Sequence, residues 1–196
     1  IMDGVYPMSE EEIARLYDQT ELLTTLVNDL HMVAQAEAGQ LNLNFGQSDI
    51  HALINSVVEV YRPIAEDANI GLSFSNDKPL HIRMDKDRIR QVFQNLLTNA
   101  IRHSAEGDLI SIETLANEYE IKVIIKDEGD GIAPEHLPII FDRFYRADTS
   151  RNRSEPGSGL GLSISKAIIE SHEGTITAES EGVGEGLTVI VTLPNS

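Results

Sequence analysis

Asn95 and Asn99 stand one helical turn apart in the run Gln94-Asn95-Leu96-Leu97-Thr98-Asn99-Ala100-Ile101-Arg102-His103-Ser104. Residues at i and i+4 share a helix face, so both amides point one way while Leu96, Leu97 and Ile101 look toward a core. An amide oxygen can complete the octahedral shell of a Mg²⁺ held otherwise by phosphate and water. Arg102, at i+3 from Asn99, can meet a phosphate on that face. Alone, the pattern equally describes two solvent-facing asparagines on an ordinary amphipathic helix.

Two glycine-punctuated loops downstream favour the chemical reading. Asp127-Glu128-Gly129-Asp130-Gly131-Ile132 follows the apolar alternation of residues 121–125, so a strand runs into a tight loop. Glycines there let the backbone approach a flat ligand closely, and an aspartate can accept from an exocyclic amine. Gly157-Ser158-Gly159-Leu160-Gly161-Leu162-Ser163-Ile164 then opens a helix. Bare amides and the helix dipole make such a start an anion site. It is neither a G-x-G-x-x-G dinucleotide fingerprint nor a P-loop. Arg143, Arg146, Arg151 and Arg153 lie between the two loops. They are either a solvated polar loop or a phosphate-facing lid, and their place between two glycine loops favours the lid.

Those elements need a scaffold. From Ser9 a helix begins with Glu12 closing a capping box and Met8 placed to staple onto Ile13. Ile13, Leu16, Thr20, Leu23, Val27, Leu30 and Ala34 recur at alternating spacings of three and four. Leu22, Leu26 and Val33 widen the stripe as a bundle helix requires, and Ala38-Gly39 ends it. Ser48 or Asp49 caps a second helix carrying Ile50, Leu53, Ile54, Val57, Val58 and Tyr61. Strands are expected at 70–75, 80–84, 109–115, 119–126, 175–179 and 187–193. The asparagine helix starts near Asp85 or Asp87 and the glycine-loop helix covers 160–171. Segregated helices over a mostly antiparallel sheet make an α+β fold of two layers.

Composition narrows the function. The chain has 196 residues, no cysteine and a net charge of −17. Disulfides and thiolate metal sites are excluded, and nucleic acid is a poor partner for so acidic a surface. No apolar run reaches membrane-spanning length, and the start carries no secretory signal pattern. A polyanionic nucleotide would need cations gathered locally, as the arginine cluster does.

In this order the segments resemble the N, G1, F and G2 boxes of bacterial sensor histidine kinases, members of the Bergerat-fold ATP-binding group. Phe141-Asp142-Arg143-Phe144-Tyr145-Arg146 matches the F box, and residues 184–194 look like the closing G3 segment. The likeness runs from about residue 9 to 194 and implies a two-layer α/β sandwich preceded by a long bundle-forming helix. Residues 1–44 would hold the second helix of the dimerisation and phosphotransfer hairpin, and 48–196 the catalytic ATP-binding domain.

The resemblance also implies roles, with ATP and Mg²⁺ as cofactors. Asp127 would accept from the adenine amine, with Gly129 and Gly131 close to the base. Asn99 would ligate Mg²⁺, with Asn95 beside metal and phosphates and Arg102 on a phosphate. His103 would flank the nucleotide, Tyr145 and Arg146 would come from the lid, and Gly157, Gly159, Leu160 and Gly161 would wrap the phosphates. Asn95, Arg102 and Arg146 are thereby cast in phosphoryl transfer, while Phe141, Phe144 and Leu162 would be apolar plugs anchoring the lid.

This sequence departs from the family at Arg102 (usually lysine), His103 (often an aromatic), Asp130 (usually small or neutral) and Glu173 (often glycine). Histidine kinases carry their acceptor histidine on the first hairpin helix, followed by an acidic residue. His31, His51, His81, His103 and His136 lack that neighbour, and His172-Glu173 falls at the end of the glycine-loop helix. The chain therefore reads as a fragment beginning after that helix.

The expected partners are ATP or ADP, the receiver domain of a response regulator, and a second copy through the first helix. The expected location is the cytoplasmic portion of a membrane-bound sensor. Related ATPases put a glutamate one turn before the metal asparagine, where this chain has Asn95. A nucleotide-binding interaction module without transfer activity is the alternative reading.

Overall fold

The computed structural model describes residues 9–75, 78–146 and 159–195. Helices α1 (Glu10–Glu37), α2 (Ile50–Asp67), α3 (Lys86–His103) and α4 (Gly161–Ser171) alternate with strands β1 (Gly46–Asp49), β2 (Gly71–Phe74), β3 (His81–Met84), β4 (Leu109–Ala116), β5 (Glu120–Lys126), β6 (Thr175–Glu179) and β7 (Thr188–Pro194). A five-stranded sheet has the order β2-β4-β5-β7-β6. Among the described residues only β2 and β4 pair in parallel; the other pairs of this sheet are antiparallel.

The sheet alternates as a half-buried sheet must. Ile121, Val123 and Ile125 of β5 are buried, as are their neighbours on β7, Val189, Val191 and Leu193. Onto that face α2 lays Leu53, Ile54, Val57 and Val58, α3 lays Ile89, Val92, Phe93, Leu96, Leu97 and Ala100, and α4 lays Ile164, Ile168 and Ile169. Each of these side chains larger than alanine contributes roughly 1.5–3 kcal/mol on leaving water. The expected two-layer α+β fold is the observed one.

The ribbon of β1 and β3 was not expected. Gly46–Asp49 pairs antiparallel with His81–Met84, apart from the main sheet. Gln47-Ser48-Asp49 has no apolar alternation, so no strand pattern announces it. Asp49 does cap α2, accepting from the His51 amide at 3.0 Å, and it also accepts from the Leu80 amide at 3.1 Å. One carboxylate thus starts the helix and holds the chain entering β3.

α1 begins with the expected capping box: the Ser9 hydroxyl accepts from the Glu12 amide at 3.2 Å, and the Glu12 carboxylate accepts from the Ser9 amide at 3.5 Å. Met8 and the Leu22 side chain lie outside the described residues. Met32 and Val33 are buried, and α1 packs against α4. Ile13, Leu16, Leu23, Val27 and Leu30 of the stripe stand exposed, with Tyr17 beside them.

A buried polar joint ties the segment between α1 and β1 to both site helices. The Asp85 amide donates to His172 Nε2 at 3.0 Å, so the ring proton sits on Nδ1 and is donated to the Ile168 carbonyl at 2.8 Å. Asp85 Oδ1 caps α3 through the Asp87 and Arg88 amides, each at 3.1 Å, while Oδ2 accepts from the Asn44 amide at 2.7 Å. Phe45 meets the His172 ring edge-on at 5.0 Å between centroids.

Burial disfavours the imidazolium and holds the His172 pKa below its ordinary value, against the Ile168 hydrogen bond and the Asp85 charge, which both raise it. An unfolded chain takes up this proton near pH ~6.5, before the folded chain does, so stability is full above that pH and falls as pH drops toward the folded pKa. Urea midpoints measured from about pH 7.5 down to about pH 5.5 should therefore decline, and decline less steeply in His172→Gln. Equal slopes for the two chains would sink this assignment.

Candidate functional site

The site begins with the rotation of α3. Its apolar stripe faces the sheet, which leaves Asn95 and Asn99 half-buried at the rim and Arg102 exposed at the helix end. Asn95 Nδ2 donates to the Gly161 carbonyl at 3.1 Å and lies 3.5 Å from the Ser165 hydroxyl. Because that carbonyl can only accept, the amide orientation is settled and the Asn95 oxygen remains for other partners. Ser165 is fully buried and donates to the same Gly161 carbonyl at 2.9 Å. A serine inside an apolar helix is commonplace in sequence, so nothing there marked Ser165 as a neighbour of Asn95.

Asp127 closes the opposite side. It is only 4% exposed, and Oδ1 accepts from the Gly129 and Leu187 amides, each at 3.1 Å. The Asp127 amide donates to the Leu187 carbonyl at 3.0 Å, so the loop before β7 holds the carboxylate from behind. Among the described residues both hydrogen bonds to this side chain fall on Oδ1, leaving Oδ2 able to accept. Burial pushes the Asp127 pKa up, while the two amides and nearby His103 pull it down and Asp108 adds to the rise. Leu187 was legible as part of the closing segment but not as a partner of Asp127, since the two stand 60 positions apart.

Gly129 packs on the end of α3. A Cβ there would land on the His103 carbonyl oxygen, so the loop reaches this position only as glycine. The neighbouring Asp130 amide donates to that same carbonyl at 2.8 Å, and His103 Nδ1 lies 3.3 Å from Asp130 Oδ2. The loop bearing Asp127 and the helix bearing Asn99 are thus in direct contact. Gly131 is packed against the Gly182 carbonyl, beside an isolated bridge to Val183.

The third side is the start of α4. Gly159 has φ +67°, and a Cβ there would stand 3.0 Å from the Phe144 backbone, whose amide donates to the Gly159 carbonyl at 3.0 Å. This brings the F-box segment to the glycine loop, with Tyr145 half-buried, 5.8 Å from the His136 ring, and Arg146 exposed. Phe141 and Leu162 pack against the core as expected of plugs. Phe144 does not: it is 61% exposed, because its backbone rather than its ring makes the contact with Gly159. Leu160 is a core side chain, 1% exposed, so it has only its backbone to offer a ligand. The first amides of α4, from Gly161 onward, have no partner inside the helix by construction. Gly157, Arg151 and Arg153 lie outside the described residues.

No group of three or more His, Cys, Asp or Glu side chains able to hold a metal occurs among the described residues. A hard cation here would draw its shell from an amide oxygen, phosphate and water. The donor set fits Mg²⁺, which keeps much of its hydration and is bound together with substrate phosphates.

Comparison with known proteins agrees with this geometry. The family described as histidine kinase-, DNA gyrase B-, and HSP90-like ATPase matches residues 84–196. Sensor protein SrrB of Staphylococcus aureus (strain NCTC 8325 / PS 47) is 42% identical over 197 aligned residues, covering 99% of this chain and 34% of that protein. The chain therefore spans about a third of the length of the curated relatives it matches. Among solved structures, the Acinetobacter baumannii histidine kinase AdeS superposes with a TM-score of 0.80 at 28% identity, covering 100% of this chain and 89% of that one. Full-length ShkA in complex with AMPPNP superposes with a TM-score of 0.83 at 25% identity, covering 97% of this chain and 40% of that one. With α3 in contact with both the Asp127 loop and the start of α4, the chain belongs to the histidine kinase-, DNA gyrase B- and HSP90-like ATPase family and carries the Bergerat-fold ATP-binding domain of a sensor histidine kinase.

Proposed function

We propose that this chain binds ATP with Mg²⁺ in the cleft between α3, the Asp127 loop and α4, and donates the γ-phosphoryl group to a histidine on a bundle helix. The phosphoryl group then passes to an aspartate on a response-regulator receiver domain. The observation that carries the reading is the Asp127 carboxylate. It is buried, locked by two amides on one oxygen and able to accept on the other, which suits an exocyclic amine of adenine. The AMPPNP bound by the structural neighbour ShkA supports a nucleotide there.

In this reading Asn99 supplies an amide oxygen to Mg²⁺, and the metal neutralises charge shared by the phosphates. Arg102 and Arg146 face the phosphates as fixed cations, and Tyr145 belongs to the lid. Gly129 and Gly131 shape the base side. The backbone of Gly159, Leu160 and Gly161 cradles the phosphates on the α4 dipole, and Gly157 is assigned to the same role from its place in the glycine motif. Phosphoryl transfer asks mainly for positioning and charge neutralisation, and these residues supply both. Asn95 holds the α4 start through the Gly161 carbonyl and keeps its amide oxygen as an acceptor. An amide cannot act as general base for water, so hydrolysis by the route of the ATPase branches has no residue to drive it.

Residues 1–44 are assigned to the dimerisation and phosphotransfer helix and 48–196 to the catalytic domain. The exposed stripe of Ile13, Leu16, Tyr17, Leu23, Val27 and Leu30 supports self-association through α1, because a contiguous apolar strip is seldom left in water. No helix among the described residues is long and apolar enough to cross a membrane. A place on the cytoplasmic side of a membrane-bound parent accords with the sensor relatives.

Calorimetric titration with ADP and ATP, with and without Mg²⁺, tests the site. Asp127→Asn should weaken binding roughly tenfold or more, the scale of a hydrogen bond to a charged group, and Asn99→Ala should abolish the Mg²⁺ dependence. Unchanged affinity in both variants would move the nucleotide elsewhere or remove it. A first hairpin helix supplied in trans should become phosphorylated from labelled ATP, with Asn95→Ala and Arg102→Ala slower by tenfold or more (about 1.4 kcal/mol in the barrier); binding without transfer would leave the interaction-module reading in force. For α1, light scattering should show self-association that Leu23→Glu with Val27→Glu disperses. A monodisperse monomer before substitution would refute it.

A further inference from the structure

His103 and Asp130 are neighbours in space. Asp130 stands between two glycines of the loop proposed to face the nucleotide base, where a carboxylate would repel phosphate. His103 ends α3, one turn beyond Asn99, and its Nδ1 lies 3.3 Å from Asp130 Oδ2. The side chains are 42% and 67% exposed, so neither is needed for the core. The backbone contact beneath them, Asp130 amide to His103 carbonyl at 2.8 Å, is independent of either side chain. A neutral imidazole donating from Nδ1 suffices for the pair, which leaves Nε2 as its acceptor.

We infer that His103 and Asp130 form a positioning pair, in which His103 occupies the Asp130 carboxylate and holds it away from the bound nucleotide phosphates. The pair rests on the nucleotide-site reading above. The histidine donates where a plain aromatic could not, and the carboxylate has a partner because that donor is there. His103 therefore serves binding through Asp130, not by touching phosphate itself.

A double-mutant cycle read by MgADP calorimetry tests this. His103→Ala releases the carboxylate and should weaken MgADP about threefold, within the range of exposed charge interactions. His103→Asn, whose amide can donate from nearly the same place, should restore most of the loss. Asp130→Ala should bind at least as well as the unaltered chain, and the double variant should match Asp130→Ala, cancelling the His103→Ala defect. The defect should also shrink as salt is raised, which a purely steric defect would not do. If His103→Ala weakens binding equally with and without Asp130, or has no effect, the pair is overturned while the nucleotide site stands. If the unaltered chain binds no MgADP, the site reading falls and the pair with it.

Discussion

The rotation of α3 about its own axis is the constraint from which the rest of the site follows. Ile89, Val92, Phe93, Leu96, Leu97 and Ala100 must all face the sheet, and that leaves no choice about where positions 95, 99 and 102 point. Turning the helix by one residue would expose Phe93 or Leu97 and place an asparagine amide in the core without partners. Burying an unpaired amide costs several kcal/mol by itself. The site is rigid because its polar face is the complement of a packed apolar one.

Around that helix the fold buries few polar residues, and Asp85, Asp127, Ser163, Ser165 and His172 each have hydrogen-bond partners. Asp85 spends its carboxylate on capping α3 and on the Asn44 amide, and its own amide on His172. Asp127 spends one oxygen on two amides from different segments. Both carboxylates join stretches far apart in sequence, so each acts as a joint as well as a local cap. They sit at the two ends of α3, Asp85 at its start and the Asp127 loop against its last carbonyl. The segment between α1 and β1 touches the Asp85–His172 joint through the Asn44 amide and the Phe45 ring, and His172 closes α4, whose first turn carries Gly161 and the contact to Asn95.

Charge explains why such care is needed. A chain of net charge −17 is a poor host for a polyanion unless its nearby carboxylates are engaged and its cations are gathered. Asp127 is engaged by amides, Asp130 lies beside His103, and Arg102, Arg143 and Arg146 stand on the helix and loop that border the cleft. The arrangement gives local order to a surface whose average sign is unfavourable.

Much of this was legible in sequence. Periods of 3.6 and 2 located α2, α3, α4 and the strands of the main sheet, since burial of one face imposes those periods directly. The capping box at Ser9 marked the start of α1, and the asparagine spacing and the two glycine loops carried the candidate site, because each is a local geometric requirement written in adjacent residues. The β1–β3 ribbon, the Asp85–His172 joint, the Leu187 amide behind Asp127, Ser165 beside Asn95 and the His103–Asp130 pair were not legible. Every one is a contact between segments distant along the chain, made by residues whose local context is ordinary. The Phe144 ring stands exposed for the same reason, its backbone being claimed by Gly159. The sequence by itself determined which faces are apolar and where the chain must turn. Tertiary structure decided which polar groups meet, because that depends on how three helices and a twisted sheet settle at a common packing distance, which no single segment encodes.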